Sequence, residues 1–370
     1  MSLASAQKMR VLFVTSSLNL GGAERQLLML CANLETKVDV QIVSLESEGP
    51  LKEKYLNSFP GILFLNEENP LRQINKLRKI IRISKPDVVV TWLYRADLLG
   101  GIAAKLAGDK PVIWSARNSA IPNFSNSKKI LLSICSRIIP RVIVANGTPA
   151  YNFHTFIGYP SKKLVIIPNL LAPWTSGTRS KSKLLHENVV IDKLRIGIAA
   201  RQVSGKGIIE TIDIVARLSQ ECPAIELLLI GQDSEESQEW KAKNLYRGHL
   251  VESLDNDRDV MEWFSNLDVY LMASTSWESQ PNSLIEAVAI GCPALVSDRI
   301  QLDPRMPPLM RFDPTSKLSF EESLRGLLLK SPEEIRVLTA SARKSLLSSF
   351  SGHSVCASWI KLISQTQTGV

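Results

Sequence analysis

The chain has 370 residues, of which 45% are hydrophobic and 22% are charged. This length predicts two globular domains, each large enough to bury a core of its own. No run approaches the roughly 18 uninterrupted apolar residues of a membrane span, and residues 1–10 lack the apolar stretch of a secretory signal. Composition therefore predicts a cytoplasmic globular protein.

Charge is distributed unevenly along the chain. Residues 1–170 hold 22 Lys and Arg against 11 Asp and Glu, whereas residues 171–370 hold 22 against 25. A basic first half indicates an anionic partner, such as phosphates, a lipid surface or nucleic acid. Nucleic acid is the least favoured of the three and is not expected, because no helix-turn-helix, zinc finger or aromatic RNA-binding sheet accompanies the charge.

The cysteines and histidines are not spaced for a metal site or a disulfide framework. The five cysteines are scattered without a C-x-x-C pair, and the four histidines form no pair at metal spacing. Asp255-Asn256-Asp257 matches a metal-binding D-x-D only superficially, because it lies in a strongly acidic loop. We expect no metal and no cofactor, and we interpret His154 as an ordinary helix histidine.

Apolar runs alternate with helical stretches through both halves, which is typical of parallel sheets wound with helices. Residues 171–193 lack convincing periodicity and form the predicted linker. The prediction is an α/β chain of two Rossmann-like doubly wound domains, 1–170 and 194–349, facing across a cleft. Strands are predicted at 10–15, 38–44, 61–65, 88–92, 112–115, 142–145, 164–167, 194–199, 226–230, 269–272 and 294–297.

A glycine pair follows the first predicted strand. Gly21 and Gly22 precede a predicted helix, where glycine allows close backbone approach and a helix start favours anions. A bare glycine pair is weak evidence, and an ordinary tight turn is the default interpretation. The pattern differs from the dinucleotide G-x-G-x-x-G, which removes the main support for a dehydrogenase.

Two cations follow the strand predicted at 194–199. Arg201 and Lys206 stand ahead of Gly207 and of a helix predicted from residue 208. Arginine can grip two phosphate oxygens and lysine adds a mobile point charge, so the pair suits a diphosphate. Taken alone, the two residues could equally be surface charges in a polar loop.

Two glutamates lie eight positions apart across a predicted loop-to-helix junction. Glu278 belongs to the loop, and Glu286 projects from a helix predicted at 283–290 and ended by Gly291. The backbone amides at the helix start could bind a phosphate, and the two carboxylates could accept hydrogen bonds from hydroxyls. Such a site would suit a ligand that carries both groups. From spacing alone, solvated acids on an amphipathic helix are favoured. The positions whose backbone would face the phosphate are Pro281, Asn282, Ser283 and Leu284.

Together, residues 201–207 and 278–293 resemble the donor site of retaining glycosyltransferases with the GT-B fold, in the family called group 1 or GT4. The family's usual pattern is E-G-F-P-N, a few residues, then E-A-M-A-x-G-x-P-V, preceded by G-R-x(n)-K-G. This chain keeps both glutamates, the Pro-Asn pair, Glu-Ala, Ala289, Gly291 and Pro293. The Gly21-Gly22 segment resembles the family's glycine loop, and the resemblance covers roughly residues 10–360.

The resemblance implies transfer of a sugar from a nucleotide-diphosphate donor to a glycan or lipid-linked acceptor, with retained configuration. Arg201, Lys206 and Glu278 would be catalytic, and Glu286 would hold the ribose hydroxyls. The last helix, about 350–367, would cross back onto the first domain. Bacterial surface polysaccharide synthesis is the preferred setting, with peripheral contact to the inner face of an anionic membrane. The implied donor-binding residues are Gly21, Gly22, Gly207, Pro281, Asn282, Ser283, Leu284 and Glu286.

Several positions depart from the family pattern. Ser279-Gln280 replaces Gly-Phe, Leu170-Leu171 stands where Gly followed by Ile or Val is common, and Arg117 lies where many relatives carry a histidine. Two alternatives stay open: a sugar-nucleotide 2-epimerase of the same fold, or a non-catalytic nucleotide-sugar-binding protein. The segment 128–141 is basic at both ends and apolar between, and packing on its own sheet is favoured over membrane contact.

Overall fold

A computed structural model describes residues 8–19, 21–46, 61–119, 125–171, 179–189, 193–200, 205–218, 224–231, 251–254, 260–275, 278–307, 309–314 and 316–368. The chain divides into two compact units. Unit 1 comprises Met1–Leu170 and Gly352–Val370, and unit 2 comprises Leu171–Ser351.

Unit 1 is a parallel sheet with helices between its strands. Its strands are β1 (Arg10–Thr15), β2 (Asp39–Ser44), β3 (Leu63–Phe64), β4 (Val88–Trp92), β5 (Val112–Ala116), β6 (Val142–Ala145) and β7 (Leu164–Ile166). Its α-helices are α1 (Gly22–Leu34), α2 (Pro70–Ser84), α3 (Tyr94–Leu106), α4 (Asn126–Ile138), α5 (Thr148–Phe156) and, at the end of the chain, α11 (Gly352–Thr368).

The strand order of unit 1 is β3-β2-β1-β4-β5-β6-β7, and every pairing is parallel. β4 and β5 are buried along their whole length, as expected for strands covered on both faces by helices. The chain reverses its direction of travel between β1 and β4, so the carboxyl ends of these two strands form the switch point where open α/β sheets bind ligands.

Unit 2 repeats this architecture. Its strands are β8 (Lys193–Ala199), β9 (Ala224–Ile230), β10 (Val251–Leu254), β11 (Val269–Met272), β12 (Ala294–Ser297) and β13 (Met310–Phe312). Its α-helices are α6 (Ile208–Leu218), α7 (Val260–Ser265), α8 (Asn282–Ile290), α9 (Lys317–Leu328) and α10 (Pro332–Phe350). The parallel order β10-β9-β8-β11-β12-β13 places its switch point between β8 and β11.

The helix α11 returns to unit 1, as the fold-class prediction stated. Trp359 is fully buried and stacks on Trp92 with ring centroids 6.2 Å apart. Arg141, just before β6, donates a hydrogen bond to the carbonyl oxygen of Thr366 at 2.7 Å. These contacts bind the last helix to β4 and its neighbours. None of the described helices combines the length and the hydropathy needed to cross a membrane.

The predicted fold class, two parallel α/β domains, is confirmed, and strand positions agree within about two residues. Two short edge strands, β10 and β13, were not predicted from the sequence. Part of the predicted linker packs on unit 2. Ser182 is buried and donates to the carbonyl oxygen of Asp268 at 2.9 Å, and the Lys183 amide donates to the Asp268 carboxylate at 2.7 Å.

Candidate functional site

The loops after β8 and β11 meet at the switch point of unit 2. The Thr275 amide, beyond β11, donates to the carbonyl oxygen of Gly205, beyond β8, at 3.0 Å. This backbone hydrogen bond ties together two loops that are separated by 70 residues of sequence. The residues singled out from the sequence at 205–207 and at 278–286 are therefore brought to one edge of one sheet.

The central contact is an ion pair between Lys206 and Glu278. The Lys206 ammonium donates to Oε1 of Glu278, and both side chains keep about a fifth of their surface exposed. The buried Ser274 hydroxyl lies 3.5 Å from the same carboxylate oxygen. Because the pair is only partly buried, an incoming anion could reach the ammonium and compete with the carboxylate for it.

Gly207 makes this close approach feasible. Its φ is +68°, in the left-handed region that glycine adopts without penalty. A Cβ at this position would lie 2.0 Å from the carbonyl oxygen of Ala273. The Gly207 carbonyl also accepts the Thr211 amide at 3.1 Å and the Thr211 hydroxyl at 2.6 Å, which starts α6. Only glycine lets the β8 loop lie directly against the end of β11.

Helix α8 begins beside this ion pair. It starts one residue earlier than predicted, with Pro281 as a cap residue that supplies no side-chain hydrogen bond, and Gly291 ends it at φ +86°. The first turn has no acidic residue. Four positions were predicted to face an anion with their backbone N–H groups. Proline has no N–H, so only Asn282, Ser283 and Leu284 can donate one. The helix start suits a negative charge.

Tyr270 lies near both glutamates and was missed from the sequence. Its hydroxyl donates to the Ser283 hydroxyl at 2.8 Å from the middle of β11. Burial raises the pKa of Tyr270, and the nearby negative charges of Glu278 and Glu286 raise it further. Glu286 itself is buried, unlike the solvated acid of an amphipathic helix. An aromatic in a short apolar strand looks like ordinary core, so no sequence signal distinguished Tyr270.

The glycine pair lies in unit 1, at the switch point of that sheet. Gly21 caps α1, and its amide donates to the carbonyl oxygen of Asn19 at 2.8 Å. Gly22 opens the helix. A Cβ on Gly21 would meet the carboxylate of Glu24, which in turn accepts a hydrogen bond from the Ser17 hydroxyl at 3.2 Å. The pair therefore forms a compact turn between β1 and α1.

Arg117 is buried at the carboxyl end of the unit 1 sheet. Its guanidinium lies over the Trp92 ring, 3.8 Å from the centroid, and donates to the Ser115 hydroxyl at 2.6 Å and to the Asn169 side-chain oxygen at 3.0 Å. Burial lowers its pKa to about 9, against the opposing charge of Asp97. Arg117, which stands where many relatives carry a histidine, is thus a buried side chain held by contacts within unit 1.

Asp97 is the acidic member of this network. It is fully buried on α3 and accepts a hydrogen bond from the Thr91 hydroxyl at 2.5 Å. Burial raises its pKa to about 8, although Thr91, the Ser115 backbone and Arg117 each act in the opposite direction. A carboxyl with this pKa gains or loses its proton near neutral pH.

His154 is a core residue, in agreement with its interpretation from the sequence. Its Nδ1–H donates to the carbonyl oxygen of Ala150 at 2.7 Å, and Nε2 accepts from the Tyr94 hydroxyl at 2.9 Å. Burial lowers its pKa to about 4, so the ring is neutral at physiological pH. Both ring nitrogens are occupied by protein partners.

Two features singled out from the sequence fall outside the described residues: Arg201 and the D-x-D at 255–257. Within the described ranges, no three His, Cys, Asp or Glu side chains are grouped to hold a metal ion. The candidate site at the β8–β11 switch point comprises the unit 2 residues Lys206, Gly207, Glu278, Asn282, Ser283, Leu284 and Glu286. Gly21 and Gly22 occupy the corresponding place in unit 1.

Comparison with known proteins agrees with this architecture. Residues 20–171 match Glycosyltransferase Family 4, and residues 193–305 match Glycosyl transferases group 1. The chain is 27% identical over 320 residues to EpsF of Bacillus subtilis (strain 168), described as a glycosyltransferase, covering 80% of each chain.

Solved structures share the fold. Anabaena Alr3699/HepE in complex with UDP-glucose has a TM-score of 0.81 at 14% identity, covering 98% of this chain and 100% of that one. The S. aureus TarM G117R mutant, in complex with Fondaparinux, alpha-GlcNAc-glycerol and UDP, has a TM-score of 0.74 at 10% identity, covering 96% and 100%. With two parallel-sheet units and tandem family matches, the chain is a GT-B glycosyltransferase and belongs to the group 1 or GT4 type.

Proposed function

We propose that the protein transfers a sugar from a nucleoside-diphosphate donor to a hydroxyl of a glycan or lipid-linked acceptor, with retention of configuration. The observation that carries this proposal is the Lys206–Glu278 ion pair beside the start of α8, where Pro281 supplies no side-chain hydrogen bond. A cation, a helix start and two carboxylates at one switch point match a ligand that bears a diphosphate and several hydroxyls.

In the proposed complex, the donor diphosphate lies against the first turn of α8 and takes the Lys206 ammonium away from Glu278. The Ser283 and Leu284 amides point along the helix axis toward it. Negative charge grows on the diphosphate as the glycosidic bond breaks, so these contacts strengthen toward the transition state and lower the barrier. Arg201 is proposed as the second cation on the diphosphate, from the family resemblance.

The bond between the anomeric carbon and the diphosphate oxygen breaks while the acceptor oxygen bonds to the same face of that carbon. The acceptor proton passes to the departing phosphate, which balances the reaction without a separate protein base. Glu286 is proposed to accept the ribose hydroxyls and Glu278 to contact the donor sugar. Since protein cations neutralise the diphosphate, the proposed reaction needs no divalent metal and no cofactor.

The acceptor is proposed to belong to bacterial surface polysaccharide synthesis, such as lipopolysaccharide, capsule or exopolysaccharide. TarM, which shares the fold, was solved with a glycosylated glycerol and UDP. The excess of basic residues in residues 1–170 favours an acceptor held at an anionic surface. We accordingly propose that the protein acts in the cytoplasm, in peripheral contact with the inner face of the membrane.

The test is transfer of radiolabelled sugar from a panel that includes UDP-glucose, UDP-galactose, UDP-N-acetylglucosamine and GDP-mannose to lipid and glycan extracts. Lys206→Ala and Glu286→Ala should each lower turnover by about two or more orders of magnitude. The matched control is Lys193→Ala. Lys193 is the first residue of β8 and also pairs with a glutamate, Glu226, at 2.9 Å, but it lies at the amino ends of the strands, away from the candidate site.

Near-normal transfer by Lys206→Ala or Glu286→Ala would overturn the site assignment, and Lys193→Ala should keep the wild-type rate. NMR coupling at the new anomeric carbon reports retention or inversion. Conversion of the donor sugar to its 2-epimer without any acceptor would instead identify an epimerase.

A further inference from the structure

Tyr270 is anchored on the face of the unit 2 sheet that α8 covers. It lies in β11, is buried, and shares a core cluster with the apolar residues of α8. Its ring meets the Phe264 ring edge to face, with centroids 5.4 Å apart and planes at 80°. Its backbone amide donates to the carbonyl oxygen of Pro293 at 2.8 Å. The ring and the backbone are both held, so the fold fixes where the phenol hydroxyl lies.

The Tyr270 hydroxyl is a donor to the first turn of α8. It lies 2.8 Å from Oγ of Ser283, and a phenol is more acidic than an alcohol, so the phenol donates and the serine oxygen accepts. Burial raises the pKa of Tyr270, and the negative charges of Glu278 and Glu286 raise it further, although the hydrogen bond with Ser283 acts in the opposite direction. The phenol therefore keeps its proton, and its role as donor, at physiological pH.

The Ser283 hydroxyl keeps its own hydrogen for another acceptor. A serine hydroxyl can donate one hydrogen bond and accept two. Among the residues that the structure describes, Tyr270 is the only hydrogen-bond partner of this side chain. Helical serines often donate to the carbonyl oxygen four residues earlier, but Ser283 forms no such bond within the described ranges. Because the side chain is partly exposed, a ligand can reach its hydrogen.

The surroundings of this hydroxyl favour a negatively charged acceptor. Ser283 is the second residue of α8, in the turn whose amides have no partner within the helix. The Ile285 amide, further along, forms a helical bond to the Pro281 carbonyl oxygen at 3.2 Å. The Lys206 ammonium, paired with Glu278, adds a positive charge at the same edge of the sheet. An ionised phosphate oxygen accepts hydrogen bonds only, which suits a hydroxyl that already accepts from a phenol.

We propose that the Ser283 hydroxyl donates a hydrogen bond to the donor diphosphate, and that Tyr270 is a positioning residue that holds the hydroxyl in this orientation. The inference rests on the proposed function, in which only the backbone amide of Ser283 faces the diphosphate, and adds a side-chain contact and a buried residue behind it. A hydroxyl oriented in advance loses little rotational freedom on binding, and its hydrogen bond strengthens as charge grows on the leaving diphosphate. No proton is transferred along this chain of hydrogen bonds.

The test is isothermal titration calorimetry of the full chain with UDP, GDP, ADP, TDP and CDP, on wild type, Ser283→Ala, Tyr270→Phe and the double variant. Ser283→Ala should weaken the Kd of the diphosphate that binds by about tenfold, because it removes a hydrogen bond to a charged group. Tyr270→Phe should weaken it by about threefold, since the hydroxyl remains but can take about three staggered orientations. The double variant should bind like Ser283→Ala alone, because Tyr270 acts only through Ser283.

The matched control is Ser323→Ala in α9. Ser323 is also a partly exposed helical serine of unit 2 with a side-chain hydrogen bond, which it donates to the carbonyl oxygen of Arg311 at 3.0 Å. Arg311 belongs to the edge strand β13, away from the β8–β11 switch point. This variant should keep the wild-type Kd. Thermal unfolding verifies that every variant is folded at the temperature of the titration.

The inference is overturned if Ser283→Ala binds as tightly as wild type while Lys206→Ala loses binding, a result that leaves the proposed donor site intact. It is also overturned if Tyr270→Phe weakens binding as much in the Ser283→Ala background as in wild type, because the tyrosine would then support the fold in general. A loss in Ser323→Ala equal to that in Ser283→Ala contradicts it as well. If wild type binds none of the five diphosphates, the proposed function itself fails, and this inference with it.

Discussion

Gly207→Ala should disrupt the proposed donor site by forcing the β8 and β11 loops apart. A Cβ there would lie 2.0 Å from the Ala273 carbonyl oxygen, while real Cβ atoms stay beyond 3.0 Å, so the two loops must separate by about 1 Å. The left-handed φ of +68° costs an alanine about 1–2 kcal/mol, and overpacking adds about 1–3, giving about 2–5 kcal/mol in total. Separation would also pull Lys206 away from Glu278, so activity should fall with stability.

Urea unfolding gives the free energy of unfolding, and hydrogen exchange of β8 and β11 isolates the contribution of unit 2. The control is Gly326→Ala in α9, where an added Cβ meets nothing within 4 Å. That variant should gain about 0.5–1 kcal/mol, because alanine is the better helix former. If Gly207→Ala is as stable as wild type and transfers sugar at the wild-type rate, then the two loops do not make the close contact described here.

Three further predictions concern buried polar groups. Asp97 has a folded pKa of about 8, above the usual 3.8, so its protonated form stabilises the fold fully below about pH 4. This stabilisation is lost as pH rises to about 8, at about 1.4 kcal/mol per pH unit. Asp97→Asn should remove this pH dependence, as measured by thermal unfolding between about pH 5 and 8. Tyr270→Phe removes the hydrogen bond to Ser283 and should cost about 0.5–1.5 kcal/mol in urea unfolding, with a smaller loss of transfer than Glu286→Ala. Arg117→Lys loses the planar contact with Trp92, so hydrogen exchange of β4 and β5 should accelerate.

Much of the fold was predictable because parallel strands leave a strong signal. β4 reads Val-Val-Val-Thr-Trp and is buried throughout, so its apolar run alone identifies it. β10 and β13 were missed because edge strands are short and partly polar: β13 is only Met-Arg-Phe. The packing of 179–185 on unit 2 was missed because Ser182 and Lys183 are held by hydrogen bonds to Asp268, which leave no periodic pattern.

The residues of the candidate site that belong to a sequence motif could be predicted. The residues that join the site only through the three-dimensional fold could not. Lys206 and Glu278 were singled out separately, and the parallel topology explains why their loops meet. Tyr270 could not be found, because its hydrogen bond to Ser283 and its proximity to both glutamates depend on the fold and not on its neighbours in sequence. The exposure of Ile130, Leu131, Ile134 and Ile138 on α4 was also missed, since composition alone does not tell which apolar residues of a helix face inward.

The most direct test of the proposed donor site is a thermal-shift panel with UDP, GDP, ADP, TDP and CDP, with and without magnesium, on wild type, Lys206→Ala and Lys193→Ala. Ligand at a hundredfold excess over Kd stabilises the native state by about 2.7 kcal/mol. We expect one diphosphate to raise the melting temperature independently of magnesium; this shift should be lost in Lys206→Ala and kept in Lys193→Ala. No shift with any diphosphate, or a full shift in Lys206→Ala, would contradict it.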